Sequence, residues 1–137
     1  MQLLTKQTQY KHQPSIVFRC DYHIIWCTKY RRPVLESPIA ERLKFLIHEK
    51  QDEYGYEVLE VEIMPDHVHL VSGLSPQRAP NRIIANIKGY TAHVLRKEFP
   101  RLRSRLPCLW TRGKFISSTG GVTLAVLKQY VESQKGV

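Results

Sequence analysis

At 137 residues the chain has the size of one domain and too little length for two separate cores. Its 21 Lys and Arg stand against 12 Asp and Glu, and the formal charge of +9 suits a polyanionic partner, nucleic acid first. No apolar run reaches the roughly 18 residues of a membrane span, and the first residues lack a signal-peptide core, so a soluble, cytoplasmic protein without membrane attachment is expected.

Residues 16–28 alternate, with Phe18, Cys20, Tyr22, Ile24 and Trp26 on one face and Arg19, Asp21 and His23 on the other, which predicts a first strand. After the basic loop from Lys29 to Pro33, Ser37 is placed to cap a helix with Pro38 at its first position. Ile39, Leu43, Leu46 and Ile47 form the apolar stripe of that helix, which is expected to run to about Glu53. Gly55 stops it, and Leu59, Val61 and Ile63 alternate with Glu60 and Glu62 until Pro65-Asp66 turns the chain into a strand over 67–73.

A Pro- and Ser-containing loop over 75–80 leads to a second helix through Ile83, Ile84, Ile87, Val94 and Leu95, weakened in its middle by Gly89. Arg101, Arg103 and Arg105 occupy a following loop, and Leu109 to Ser117 reads as a fourth strand. Ser117 to Gly121 breaks the pattern. Thr123 is placed to cap a last helix through about Gln134, with Leu124, Leu127 and Val131 apolar. The order β-α-β-β-α-β plus α is that of an α+β, ferredoxin-like domain: a four-stranded antiparallel sheet with helices on one face. Cys20, Cys27 and Cys108 are odd in number and show no CxxC spacing, so buried free thiols are expected.

His67-Val68-His69 carries the chemistry, because residues i and i+2 of a strand share a face, about 7 Å apart along it. If Val68 and Leu70 face the core, both imidazoles lie on the opposite, open face, where they can grip one metal ion. Tyr130 and Gln134, four apart, share one face of the last helix. A tyrosine on an amphipathic helix is more often a packing residue; the neighbouring amide changes the balance, because its neutral oxygen completes a two-histidine divalent site without cancelling the charge. A metal, a phenolic nucleophile and open ligand positions outline phosphoryl transfer through a phosphotyrosine.

Three ordered segments carry a family likeness: Tyr22 to Pro33 (YHIIWCTKYRRP), Met64 to Leu70 (MPDHVHL), and Leu109 to Phe115 (LWTRGKF) leading to Tyr130 and Gln134. Over nearly the whole chain they resemble the HUH superfamily, and closely the single-tyrosine transposase A family of small bacterial and archaeal insertion sequences, with its REP-associated relatives. The resemblance implies a homodimer that recognises single-stranded DNA hairpins at element ends, cleaves with Mg²⁺ or Mn²⁺ and keeps a 5′-phosphotyrosine. On that likeness Tyr130 is the nucleophile, while His67, His69 and Gln134 are the metal ligands. Gly120 and Gly121, within a 117–121 hinge, let the last helix dock on the partner subunit, so that active sites are shared in trans. Arg31, Arg32, Lys88, Arg96 and Arg103 are candidate phosphate contacts. A domesticated hairpin nickase and a noncatalytic single-stranded nucleic-acid binding module on the same fold are the competing functions; the latter would be expected to carry aromatic RNP-type strands, which are missing.

Overall fold

The computed structural model describes residues 11–13, 16–18, 20–118 and 123–137. Two short strands, β1 (Lys11–Gln13) and β2 (Ile16–Phe18), pair antiparallel as a ribbon of their own. The strand expected over 16–28 is therefore divided, its second part forming β3 (Asp21–Cys27) in the main sheet. The reason is partner length. The strand beside β3 ends at Leu74, whose N–H donates to the Cys20 carbonyl, so residues 16–18 have no further backbone to pair with there.

Helix α1 spans Ile39–Glu49 and is followed by the short α2 (Gln51–Tyr54). Ser37 does not cap α1 as expected: Pro38, joined to it by a cis bond, occupies the cap position, and the Glu36 and Pro38 carbonyls accept the first N–H groups. Gly55 ends α2 in the left-handed conformation (φ 81°), with its N–H bonded to the Gln51 carbonyl. β4 (Tyr56–Met64) carries a bulge between Val58 and Glu60. The bulge shifts the inward phase by one residue, so Tyr56 and Val58 face the core before it and Val61 and Ile63 after it, while Leu59 loses the inward place expected for it.

β5 (His67–Leu74) leads to α3 (Pro80–Glu98), which runs unbroken through the exposed Gly89, and then to α4 (Arg101–Arg105) where a loop was expected. The fourth strand, expected over Leu109 to Ser117, forms only as β6 (Phe115–Ser118); Trp110 makes a single bridge to Thr28, and residues 111–114 leave the sheet. The last helix, α5 (Leu124–Ser133), is capped by the Thr123 side chain, which accepts from the Val126 N–H at 3.3 Å.

The main sheet has the order β4-β5-β3-β6 with every neighbour antiparallel, the expected split βαβ layout. Ile24, Trp26, Val68 and Leu70 form the sheet side of the core, met by Leu43 and Ile47 of α1 and Ile84, Ile87 and Leu95 of α3. Leu70 is fully buried, and truncation to Ala there would cost about 2–5 kcal/mol. Trp110 closes the core edge-on to Trp26 at 5.9 Å, its indole N–H donating to Thr91 Oγ1. Cys27 is buried and Cys20 and Cys108 are half-buried, all three as free thiols.

Candidate active site

Strand alternation that sends Ile24, Trp26, Val68 and Leu70 to the helices sends His23, Ile25, Cys27, His67 and His69 to the other face. Pairing places His69 opposite Ile25 and His67 opposite Cys27. α5 lies across this face against β3, which explains why Ile25 and Cys27 are buried although they point away from the core. Between α5 and the histidines lies a cleft of about 430 Å³, lined by Ile25, Glu62, His67, His69, Leu127 and Val131 among others.

His67 is held by its sequence neighbour: Asp66 Oδ1 lies 2.8 Å from its Nδ1, which leaves Nε2 directed elsewhere, with no hydrogen-bond partner among the described residues. Burial opposes ionisation of Asp66, but the bonds from His67 and Arg31 outweigh it and hold the carboxyl below its ordinary range. His69 Nε2 meets His23 Nδ1 at 3.0 Å, with the rings stacked at 5.3 Å. Burial, then the neighbouring His23, lowers the basicity of His69 and favours the neutral imidazole a metal requires. To use Nε2 as a ligand atom, His69 must give up its contact with His23.

Tyr130 and Gln134 lie side by side, as their spacing predicted. A Cβ built on Gly113 would sit 3.5 Å from Tyr130 Oη and 3.4 Å from Gln134 Oε1. Both oxygens are buried and neither has a hydrogen-bond partner among the described residues, an arrangement that costs free energy unless something else binds there. Burial, and then the nearby Cys27, pushes the Tyr130 phenol up to about 12. Its ring packs on Phe115 of β6, 5.4 Å between centroids. The Gly113 loop is fixed from below by Lys88, whose Nζ donates to the carbonyls of Thr111 at 2.9 Å, Arg112 at 3.4 Å and Gly113 at 3.1 Å.

The two pairs are thus on one face of the sheet but on opposite flanks of α5: His67 and His69 line the cleft on the β5 side, Tyr130 and Gln134 turn toward Gly113 and Phe115 on the β6 side. Among the described residues no group of three or more His, Cys, Asp or Glu is arranged to hold a metal. The Gln134 amide oxygen, without a hydrogen-bond partner among the described residues, is of a type that a hard divalent ion accepts. Gly120 and Gly121 lie outside the described residues.

The basic candidates divide. Lys88 is spent on the three carbonyls, and Arg31 on Asp66 and the end of α5. Arg32 and Arg103 are exposed and, among the described residues, without carboxylate partners, and Arg96, bonded to the Pro107 carbonyl, lines a cleft with Arg103. Sequence reasoning missed Asp66 and His23. His23 could have been found, since its outward phase in β3 was readable and only the register with β5 was lacking.

Residues 16–134 match the family model described as "Transposase IS200 like". The chain is 36% identical over 120 residues to the ISDra2 transposase TnpA of Deinococcus radiodurans, covering 86% of each. It is 24% identical over 119 residues to the transposase for insertion sequence element IS200 of Salmonella typhimurium, covering 85% of this chain and 78% of that one. A crystal structure from Deinococcus radiodurans R1, described as a candidate transposase, superposes with a TM-score of 0.85 at 32% identity over 93% of this chain and 99% of that one. A REP-associated tyrosine transposase bound to a REP hairpin shares the fold, with a TM-score of 0.50 at 13% identity over 89% and 68%.

Proposed function

This chain belongs to the IS200-like transposase family, and from that premise we propose that it cleaves and rejoins single-stranded DNA at hairpin-marked insertion-sequence ends, with Tyr130 as nucleophile. The observation that carries this reading is a pair of buried oxygens without partners among the described residues, Tyr130 Oη on the helix that covers the histidine face and Gln134 Oε1 at its C-terminal cap. In the reaction the phenolic oxygen bonds to phosphorus and the bond to the 3′ oxygen breaks. The 3′ oxygen gains a proton as the phenol loses one, and a 5′-phosphotyrosine remains to be attacked by another 3′-hydroxyl.

His67, His69 and Gln134 are the residues that would hold Mg²⁺ or Mn²⁺, which supplies positive charge against the phosphate oxygens. Asp66 fixes the His67 ring and so presents Nε2. Phe115 and Gly113 hold Tyr130 in a dry setting in which the phenol stays protonated near neutral pH. With Oη enclosed, no phosphate reaches it while α5 is docked in this way. This supports a working state in which α5 lifts away and delivers Tyr130 and Gln134 to the histidines of a partner subunit in a homodimer. The likeness to the ISDra2 relative over most of both chains supports an element-borne enzyme over a domesticated hairpin nickase.

The test is adduct trapping. A hairpin DNA labelled at its 3′ end, incubated with protein and Mg²⁺, yields a labelled protein band on a denaturing gel, absent in Tyr130→Phe, in His67→Ala and with EDTA. An adduct that persists in Tyr130→Phe removes the nucleophile from this reading; one that persists after exhaustive chelation removes the metal.

A further inference from the structure

Beside Asp66 the chain makes a 3₁₀ turn at Lys29–Arg31 in which Tyr30 (φ 59°) and Arg31 (φ 54°) both hold left-handed backbone angles. Non-glycine residues pay about 1 kcal/mol or more each for that conformation, so it persists only where the surroundings enforce it. Here Thr28 Oγ1 donates to the Arg32 and Asp66 carbonyls at 2.7 and 3.2 Å, and the Tyr30 N–H donates to the Val137 carbonyl at 2.7 Å. The turn is tied both to the β4–β5 bend and to the chain after α5.

Its product is the placement of one guanidinium. Arg31 Nε donates to Asp66 Oδ2 at 2.8 Å, and the other oxygen of the same carboxylate holds His67 Nδ1 at 2.8 Å. Arg31 Nη1 reaches the Val131 carbonyl at 3.3 Å and Glu132 Oε2 at 3.4 Å, both in the last turn of α5. The Glu132 contact is exposed and long and adds little. The Asp66 and Val131 contacts are half-buried, and a cation at the C-terminal carbonyls also complements the helix dipole.

We propose that Arg31 is a positioning residue that couples the docking of α5 to the orientation of the His67 imidazole. A planar fork with five N–H donors addresses two partners in different directions at once; a lysine ammonium on a flexible stem cannot hold both. When α5 lifts, Arg31 loses Val131, its hold on Asp66 loosens, and Asp66 no longer fixes His67 in one pose. A second subunit's α5 arriving at the same turn restores the pose. The coupling concerns the positions of His67 and α5 and holds whether or not Tyr130 is the nucleophile.

The test uses the full chain without metal or DNA and follows the ring nitrogens of His67 by ¹⁵N NMR. Leu127→Asn places a neutral polar group in the buried contact of α5 and undocks the helix. In the wild-type background it shifts the His67 signals; in Arg31→Lys, which keeps charge and fold, His67 is displaced from the start and Leu127→Asn moves it no further. Arg31→Met repeats the comparison without the charge, circular dichroism confirming the fold of both variants. A His67 shift of equal size with and without Arg31, or no shift on undocking in wild type, overturns the proposal. Mn²⁺ titration gives a second readout: Arg31→Lys weakens binding about 10-fold or more, the usual cost of loosening the support of a metal ligand, and undiminished affinity also counts against it. Absence of Mn²⁺ binding in the wild type would sink the metal reading of the site while leaving the NMR comparison intact.

Discussion

Tyr130→Phe should make the metal-free protein more stable while it abolishes cleavage. The Tyr130 hydroxyl is buried without a partner among the described residues, and an unsatisfied buried hydroxyl costs about 1–3 kcal/mol relative to water. The substitution removes that cost and keeps the ring against Phe115. The small void beside Gly113 returns a few tenths of a kcal/mol, so the expected net gain is about 1 kcal/mol. For a chain of this size that is roughly 4 °C in Tm or about 0.5 M in the urea midpoint. Tyr56→Phe is the internal control, because Tyr56 Oη is buried and donates to the Ile47 carbonyl; its removal should cost about 1 kcal/mol or more. The assay is urea unfolding in EDTA followed by circular dichroism, with equal slopes required for comparison. If Tyr130→Phe lowers the midpoint as Tyr56→Phe does, the hydroxyl has a partner in solution and the reasoning fails.

Burial, with Lys114 nearby, brings the Lys88 ammonium from its ordinary 10.5 down to about 8. Between those values the unfolded chain carries the extra proton, so the stability of the wild type relative to Lys88→Met should rise from pH 8 to 10.5; a difference flat across that window in parallel unfolding curves refutes this. A heterodimer of Tyr130→Phe and His67→Ala chains should recover one working site if α5 serves the partner, although each homodimer is dead; a purified heterodimer that binds hairpin DNA without cleaving it excludes sharing. Replacing the exposed Arg103 by Ala should weaken single-stranded DNA binding and reduce the slope of log K against log salt by about 0.7 for each phosphate that Arg103 neutralises, whereas an unchanged slope places Arg103 off the DNA path.

The hydrophobic periods of β3, α1, β5, α3 and α5 were readable because each buries one face against the same core, and local pattern suffices for that. What pattern could not carry was pairing. The division of residues 16–28 between two sheets depends on where β5 ends, and the bulge in β4 depends on its register with β5. The expected strand before β6 does not form over residues 111–114, where the carbonyls of Thr111, Arg112 and Gly113 are bonded instead to Lys88, more than twenty residues earlier. The site divided in the same way. His67 with His69, and Tyr130 with Gln134, follow from local spacing, but His23 and Arg31 acquire their roles only through contacts between elements, and Asp66, beside His67 in sequence, gains its second partner, Arg31, in the same way. Arg31 in particular looked like a phosphate ligand, since sequence records its charge and not the carboxylate beside it.

If Tyr130 is the nucleophile, its lack of exposed surface has a kinetic consequence: turnover scales with the fraction of molecules in which α5 has lifted. If docking is favoured by about 2.8 kcal/mol, only about one molecule in a hundred is competent at any moment, and the observed rate is that fraction of the intrinsic one. A DNA end that binds the lifted form alone would then act as its own trigger, raising the competent population as it loads. Stray single strands would meet a largely latent enzyme. Mutations that loosen the packing of Leu127 against the sheet should therefore raise nicking of unrelated single-stranded DNA before they impair cleavage of the cognate hairpin.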